Sequence, residues 1–331
     1  WQDIEEVGHS RLHWLQERGF FKNGVPVDDT IARIISSLNS EELQSCFIKW
    51  MMAVETATDG KIVAVDGKTL RHSYDKKKRK SAIHMVSAYA AENGVVLGQK
   101  KTEEKSNEIT AIPALLDLLD IKGCIVTIDA MGCQEKIAEK IINKKADYVL
   151  AVKDNQKQLH EEIIDFFETS RRFEFKNVRY DYFEESNKGH GRVELRRYWI
   201  SDMLDMISNP ERWASLKGIG MVESERYIDG KTTSETRCFI VSIAPDAKVF
   251  ANAVRKHWAI ENQLHWVLDV SFREDDSRVR RDNASENFGV FRHVAVNALR
   301  NEKSCKKGIK AKRYKAALQP DYAQKVLNEI F

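Results

Sequence analysis

Short β-branched runs set between amphipathic stretches most constrain what this chain can fold into. The runs at 62–67 (Ile-Val-Ala-Val-Asp-Gly), 124–129 (Cys-Ile-Val-Thr-Ile-Asp) and 148–152 are too short for buried helices and read as buried strands. Segments 82–90 and 95–101 read as two more strands, with Asn93-Gly94 as the turn of a hairpin. Helical patterning covers 108–119, with Pro113 in its first turns, and the neighbourhood of 134–143. Three strands, a helix, a strand, a helix and a strand describe a mixed α/β sheet with some antiparallel pairing.

The flanks differ in texture. Ile31, Ile34, Ile35 and Leu38 recur at helical spacing after Asp29 and Thr30, and 41–52 is a second amphipathic stretch. A helix is expected from 155 to 167. Segments 178–183, 193–200, 220–227 and 238–243 then alternate and are rich in aromatic and β-branched residues, so this part reads as mainly β. Segments 251–270 and 283–300 read as helices again. The expected organisation is a helical region at 1–57, the first part of a catalytic core at 58–168 and a β-rich insertion at 169–246. Closing helices at 247–300 and a basic tail at 301–331 complete it.

The chain has 331 residues, enough for two or three domains. Its 42% hydrophobic share excludes disorder throughout. No apolar run approaches the roughly eighteen residues a membrane span needs, so no membrane partner is expected. With 53 Lys+Arg against 50 Asp+Glu, the +3 net charge by itself announces no nucleic-acid partner. Five scattered cysteines without a C-x-x-C pair read as reduced thiols of a cytoplasmic protein, and a cysteine-built zinc site is not expected. Opening at Trp1 without an apolar leader, the sequence reads as a frame truncated at its start.

Asp66 and Asp129 share one context: each ends an apolar strand and is followed by small residues. Open sheets place ligand sites at the carboxyl ends of their strands, where a carboxylate must be solvated, paired or bound to metal. Each Asp could equally start an ordinary turn. Glu261 lies beside a helical stripe of Ile260, Leu264, Val267 and Leu268, with His257 and His265 one turn away on either side. A solvated glutamate or a His/Glu zinc site are the alternatives there. Three carboxylates without a cysteine ligand suit Mg²⁺ or Mn²⁺ better, and such ions serve phosphoryl transfer. Trp258 and Trp266 are expected in the core. Glu108 falls with Lys105 and Asn107 in a polar cluster entering a helix, where capping is the ordinary role and a part in the site the alternative.

Five sequence blocks carry a resemblance over nearly the whole chain. They are Gly24-Val25-Pro26-Val27-Asp28-Asp29-Thr30; Ala64-Val65-Asp66-Gly67-Lys68-Thr69-Leu70-Arg71; Glu104-Lys105-Ser106-Asn107-Glu108-Ile109-Thr110-Ala111-Ile112-Pro113; Asp129-Ala130-Met131-Gly132-Cys133-Gln134; and the run from His257-Trp258 through Glu261-Asn262 to Asp269-Val270. In these the chain resembles the ISAs1-type transposases of bacterial insertion sequences, and closely their H-repeat-associated members. The resemblance implies a ribonuclease-H-like mixed-sheet core with a β-rich insertion and a helical N-terminal region. It also implies a DDE triad falling on Asp66, Asp129 and Glu261, which would hold Mg²⁺ (Mn²⁺ as substitute). The implied activity is cutting double-stranded DNA at element ends and joining the freed 3′-hydroxyl to target DNA, by a homo-oligomer on DNA. A nuclease on the same core, or a decayed or domesticated DNA-binding relic, are the alternatives. The Tyr-Arg-Glu-Lys signature of related enzymes is missing, since its Arg and Lys positions hold His257 and Leu268. The family also implies a further segment ahead of Trp1.

Basic residues cluster around these blocks. Lys68 and Arg71 lead to Lys76-Lys77-Lys78-Arg79-Lys80, and Arg273, Arg278, Arg280 and Arg281 follow the glutamate helix. These residues, with His257, are the expected phosphate contacts. A solvated turn is the ordinary role of any one Lys run. No base-reading motif is present, so the sequence names no target site.

Overall fold

The computed structural model describes residues 1–54, 60–74, 82–102, 108–189 and 191–330. The chain begins with helices α1 (Gln2–Ser10), α2 (Leu12–Gln16), α3 (Asp28–Ser37) and α4 (Ser40–Val54). Strands β1 (Ile62–Leu70), β2 (Ile83–Ala90) and β3 (Val95–Lys101) follow, then α5 (Glu108–Leu118), β4 (Ile125–Ile128), α6 (Glu135–Asn143), β5 (Asp147–Val152) and α7 (Lys157–Arg172). Four long strands come next: β6 (Asp181–Gly189), β7 (Arg192–Ser201), β8 (Gly218–Ile228) and β9 (Lys231–Val241). Helices α8 (Ala247–Ala259), α9 (Trp266–Phe272), α10 (Ala284–Asn301), α11 (Ile309–Leu318) and α12 (Pro320–Leu327) close the chain. Among the described residues no helix is long and apolar enough to cross a membrane.

All nine strands belong to one sheet, in the order β3-β2-β1-β4-β5-β9-β8-β7-β6. β1, β4 and β5 run parallel, while β9 joins β5 antiparallel. The first five strands therefore have the 3-2-1-4-5 order and parallel centre of a ribonuclease-H-like core, as the resemblance implied. The β-rich segment continues this sheet: β9, β8, β7 and β6 are successive antiparallel neighbours. The central strands are apolar on both faces because helices cover both, and every residue of β4 is buried.

Two compact units can be distinguished, each discontinuous in sequence. One comprises Met52–Gly67 and Val86–Gln263 and holds nearly all of the sheet. Its core joins Ile62, Ile125 and Val149 of the parallel strands to Tyr198, Val222 and Phe239 of the extension and to Phe250 on α8. Phe250 stands edge-on to Tyr198 and Phe239, with ring centroids 6.2 and 5.3 Å away. The site facing that ring must lack a side chain. A Cβ on Gly220 would lie 2.6 Å from Phe250 Cζ. Gly220→Ala should therefore destabilise the protein by about 1–3 kcal/mol, read as a lower urea midpoint at unchanged slope.

The other unit comprises Trp1–Met51, Lys68–Met85 and Leu264–Phe331. Here α3 is tied to α10 by polar bonds: Asn287 Nδ2 donates to the carbonyls of Ile35 (2.8 Å) and Leu38 (3.1 Å), and Asn283 Nδ2 to Leu38 (3.0 Å). These donors satisfy carbonyls at the end of α3 that have no partner inside the helix. Within this unit Lys68 Nζ meets Asp269 at 2.5 Å and Glu274 at 2.8 Å, and Arg292 reaches Glu274 at 3.3 Å.

The expected helix over 251–270 is interrupted. A π-helical turn, Ile260–His265, separates α8 from α9. Ile260, Leu264, Val267 and Leu268 are buried as the spacing predicts. Trp258 and Trp266 are exposed, at 44% and 59%, against the expectation that they are core. The stripe that reaches the interior fixes the helix phase and leaves both indoles outside it.

Candidate catalytic site

Parallel register sets the first two carboxylates. Val65 on β1 pairs with Ile128 on β4. Asp129 follows Ile128 just past the end of β4, whereas β1 does not end at Asp66 as expected but runs on through it to Leu70. The two aspartates stand side by side where β4 ends and the sheet leaves room for a ligand. Asp129 also caps the short turn Ala130–Gly132, its carboxylate accepting from the Met131 N–H at 3.1 Å. The turn-starting role and a place in the site are thus compatible in one residue.

Glu261 sits on the π-helical turn, and contacts on either side of it fix this stretch against the sheet. His257 Nδ1 lies 3.0 Å from Thr127 Oγ1 on β4, two residues before Asp129. The Tyr89 hydroxyl on β2 donates to Gln263 Oε1 at 2.9 Å. A π turn widens the helix locally and is common at functional sites. In this setting a carboxylate oxygen of Glu261 lies within 4.8 Å of one from Asp66. Asp129 does not join that tightest group, but its charge is felt by Asp66.

The electrostatics follow from this crowding. Burial, then the charges of Glu261 and Asp129, push the Asp66 carboxyl up to about 8. Asp129 is raised as well, by burial first and by Glu108 next, while the N–H groups of Gly132 and Met131 and the charge of Lys153 work against the rise. Glu108, in the first turn of α5, also raises Asp66. Sequence reasoning favoured a capping role for Glu108 over a functional one. The signal lay in its block, which reaches Ile112 one turn further on.

Ile112 explains how α5 approaches. A Cβ on Gly132 would lie 2.3 Å from Ile128 Cγ2 and 3.1 Å from Ile112 Cδ1, so α5 and the loop after Asp129 meet where only a glycine fits. Gly132→Ala should shift the Asp129 loop. We expect at least tenfold weaker Mn²⁺ binding by calorimetry, whereas Gly220→Ala, remote from the carboxylates, leaves affinity for the folded protein unchanged.

The three carboxylates offer oxygen donors only, and their charges repel one another. This fits a hard divalent cation, which relieves the repulsion that raises Asp66. His257 is held neutral, its ring pushed down to about 4 by burial foremost. Packed against Thr127 and uncharged near neutrality, it makes a poor phosphate contact.

The other expected phosphate contacts fall in the unit that holds the N-terminal helices. Arg71, Arg273, Arg278 and Arg281 are exposed there. Arg71 pairs with Asp275 at 3.2 Å and Arg273 with Asp276 at 2.9 Å. Lys68 is occupied by its two carboxylates, and Arg280 Nε donates to the His72 carbonyl at 2.8 Å. Lys76, Lys77, Lys78, Arg79 and Lys80 lie outside the described residues.

Comparison with known families identifies the family of the chain. The family model described as the transposase DDE domain matches residues 56–298, and a second, described as associated with that domain, matches residues 1–51. The chain belongs to the DDE transposase family. Among relatives of this DDE-family chain, "Putative transposase YncI" of Escherichia coli O157:H7 is 50% identical over 99% of this chain and 84% of its own length. "H repeat-associated putative transposase YhhI" of E. coli K12 is 45% identical over 99% of this chain and 87% of its own. The resemblance read from the sequence blocks is therefore correct, down to the H-repeat-associated members. A piggyBac transposase solved in a synaptic complex with hairpin DNA overlays with a TM-score of 0.44 at 11% identity, covering 82% of this chain and 54% of that one. That overlay is too loose to carry a functional argument.

Proposed function

We propose that this DDE-family chain is the transposase of a bacterial insertion sequence, acting in the cytoplasm on double-stranded DNA as a homo-oligomer. In this reading it cuts DNA at the element ends and joins the resulting 3′-hydroxyl to target DNA. The observation that carries the proposal is the meeting of Asp66 and Glu261 within 4.8 Å, beside Asp129 in parallel register.

Asp66, Asp129 and Glu261 would hold Mg²⁺, with Mn²⁺ as substitute. When bound, two such ions supply the charge that acidifies an attacking water or 3′-hydroxyl and steadies the leaving oxygen. The chain's own part is positioning. The rigid strands β1 and β4 fix the two aspartates. The contacts of His257 and Gln263 fix the turn bearing Glu261. Asp66 must lose its proton before it can serve as a ligand. Arg71, Arg273, Arg278 and Arg281, with the 76–80 run, provide positive charge for the phosphate backbone.

A strand-joining assay on pre-cut element ends with Mg²⁺ separates the possibilities. Joining to a target plasmid is the expected result. Cleavage of intact ends without any joining of pre-cut ones would make the chain a nuclease on this core and overturn the proposal.

A further inference from the structure

The face of the β7–β9 extension that α8 covers in part carries, beyond that cover, charge that the catalytic reading does not use. Residues paired across the strands share one face: Tyr198, Val222 and Arg237 form one row. Arg196, Ser224 and Glu235 form the next, and Glu194, Arg226 and Thr233 the one beyond. The row ahead of these, Ile200, Gly220 and Phe239, is covered by Phe250 of α8. Where that apolar cover ends, a groove of ≈ 240 Å³ opens, lined among others by Glu194, Arg196, Ser224, Arg226, Thr233 and Arg237.

Its charge is unbalanced in a particular way. One carboxylate, Glu194, is only 6% exposed and gathers three guanidinium groups. Arg192 Nε stands 3.1 Å from it and Arg226 Nε 2.9 Å, and Arg196 is paired to its other oxygen. A balanced surface pair would need one arginine. Three on one buried carboxylate leave a surplus of positive charge whose direction is fixed in advance, and Arg192 and Arg226 are about half-exposed. Counting the whole face, Arg192, Arg196, Arg226, Lys231 and Arg237 stand against Asp181, Glu185, Glu194 and Glu235, and Asp181 lies at the far end, accepting from the Ala247 N–H of α8. Preordered guanidinium groups suit phosphate oxygens because the fork is already oriented.

The strip also leads somewhere. The Arg237 guanidinium lies over the exposed Trp258 ring, 4.9 Å from its centroid. Trp258 precedes Glu261 by three residues, which puts it about one turn back along the same helix. We infer that the β7–β9 face, through Arg192, Arg196, Arg226 and Arg237, is a track for the phosphodiester backbone of DNA running towards the carboxylates. The inference rests on the transposase reading above and adds a surface to it.

Arg192→Gln with Arg226→Gln tests the track, because Arg196 remains to pair Glu194 and both altered side chains are half-exposed. Affinity for a mixed-sequence duplex is read by fluorescence anisotropy across a salt series. The double variant should bind roughly ten- to a hundredfold more weakly near 0.1 M salt. Its log–log salt slope should shrink by about 1.8, the loss of two phosphate contacts. Arg192→Lys with Arg226→Lys should recover most of the affinity, and calorimetric Mn²⁺ binding should match the parent in both. Unchanged affinity and slope in the Gln variant would overturn the track, while the transposase reading stands if the parent still cleaves and joins. A loss that Lys fails to recover would assign these arginines to folding and overturn the track as well. A parent chain that binds no duplex at all would overturn both.

Discussion

Glu261→Gln should lower DNA cleavage at element ends by about a thousandfold or more, equivalent to roughly 4 kcal/mol of transition-state stabilisation. The substitution keeps the size of the side chain and its place on the π-helical turn, but removes one of the two carboxylates whose oxygens lie within 4.8 Å. Duplex affinity without metal should stay within about twofold of the parent, since the surfaces proposed to hold the backbone are untouched. The two readouts belong together. Lost cleavage with retained binding places Glu261 in the chemistry. Surviving cleavage would remove it from the ligand set. Its loss should also lower the Asp66 carboxyl towards its ordinary range, because the Glu261 charge is the largest electrostatic cause of the rise.

The pH response of the metal-free protein gives the second large effect. In the unfolded chain Asp66 ionises near the ordinary value of about 3.9. In the fold it holds its proton up to about 8. Between those values the folded state binds the extra proton, so Asp66 contributes stability that is full below about pH 4 and is lost as pH rises towards 8. The metal-free melting temperature should therefore fall across that window and level off above it. Asp66→Asn should flatten the fall and stabilise the apo protein at pH 8.5 by a few kcal/mol, on the order expected when a crowded charge is removed. The same proton competes with metal. Mn²⁺ affinity of the parent should rise by up to about tenfold per pH unit towards pH 8, with a proton released on binding. Calorimetry in buffers of different ionisation enthalpy counts that proton. A pH-independent affinity would mean that Asp66 is already ionised at neutral pH.

The sequence made some of this legible because local pattern and tertiary demand agreed. β1, β4 and β5 are buried strands whose β-branched runs have no other stable use. The aspartates that follow the apolar runs of β1 and β4 stand out against them, although β1 continues past Asp66 to Leu70. The pairing of these strands in parallel register follows from the 3-2-1-4-5 order, which the alternation of strands and helices left open. The outer halves of β6 and β9 were not legible. Lys231 to Thr236 are all exposed and show no apolar alternation, yet they are strand because β8 pairs with every one of them. β6 is equally polar and is held by its pairing with β7. Each is a hairpin neighbour of its partner, and a strand exposed on both faces carries no apolar alternation for the pattern to show. The π-helical turn was hidden for a related reason: the buried stripe of Ile260, Leu264, Val267 and Leu268 fits an uninterrupted helix as well. A functional role for Glu108 was the less favoured reading because its influence is electrostatic. It comes from the way Gly132 lets α5 approach the Asp129 loop.

The most direct test of the central claim is an anomalous-scattering map from a crystal soaked in Mn²⁺. The account predicts a peak held between Asp66 and Glu261, with Asp129 turned to share it. A single ion satisfies this as well as two do, since DNA phosphates supply ligands for a second. No peak at those carboxylates in a crystal that takes up Mn²⁺ would contradict the account and leave a DNA-binding relic as the better description of the chain.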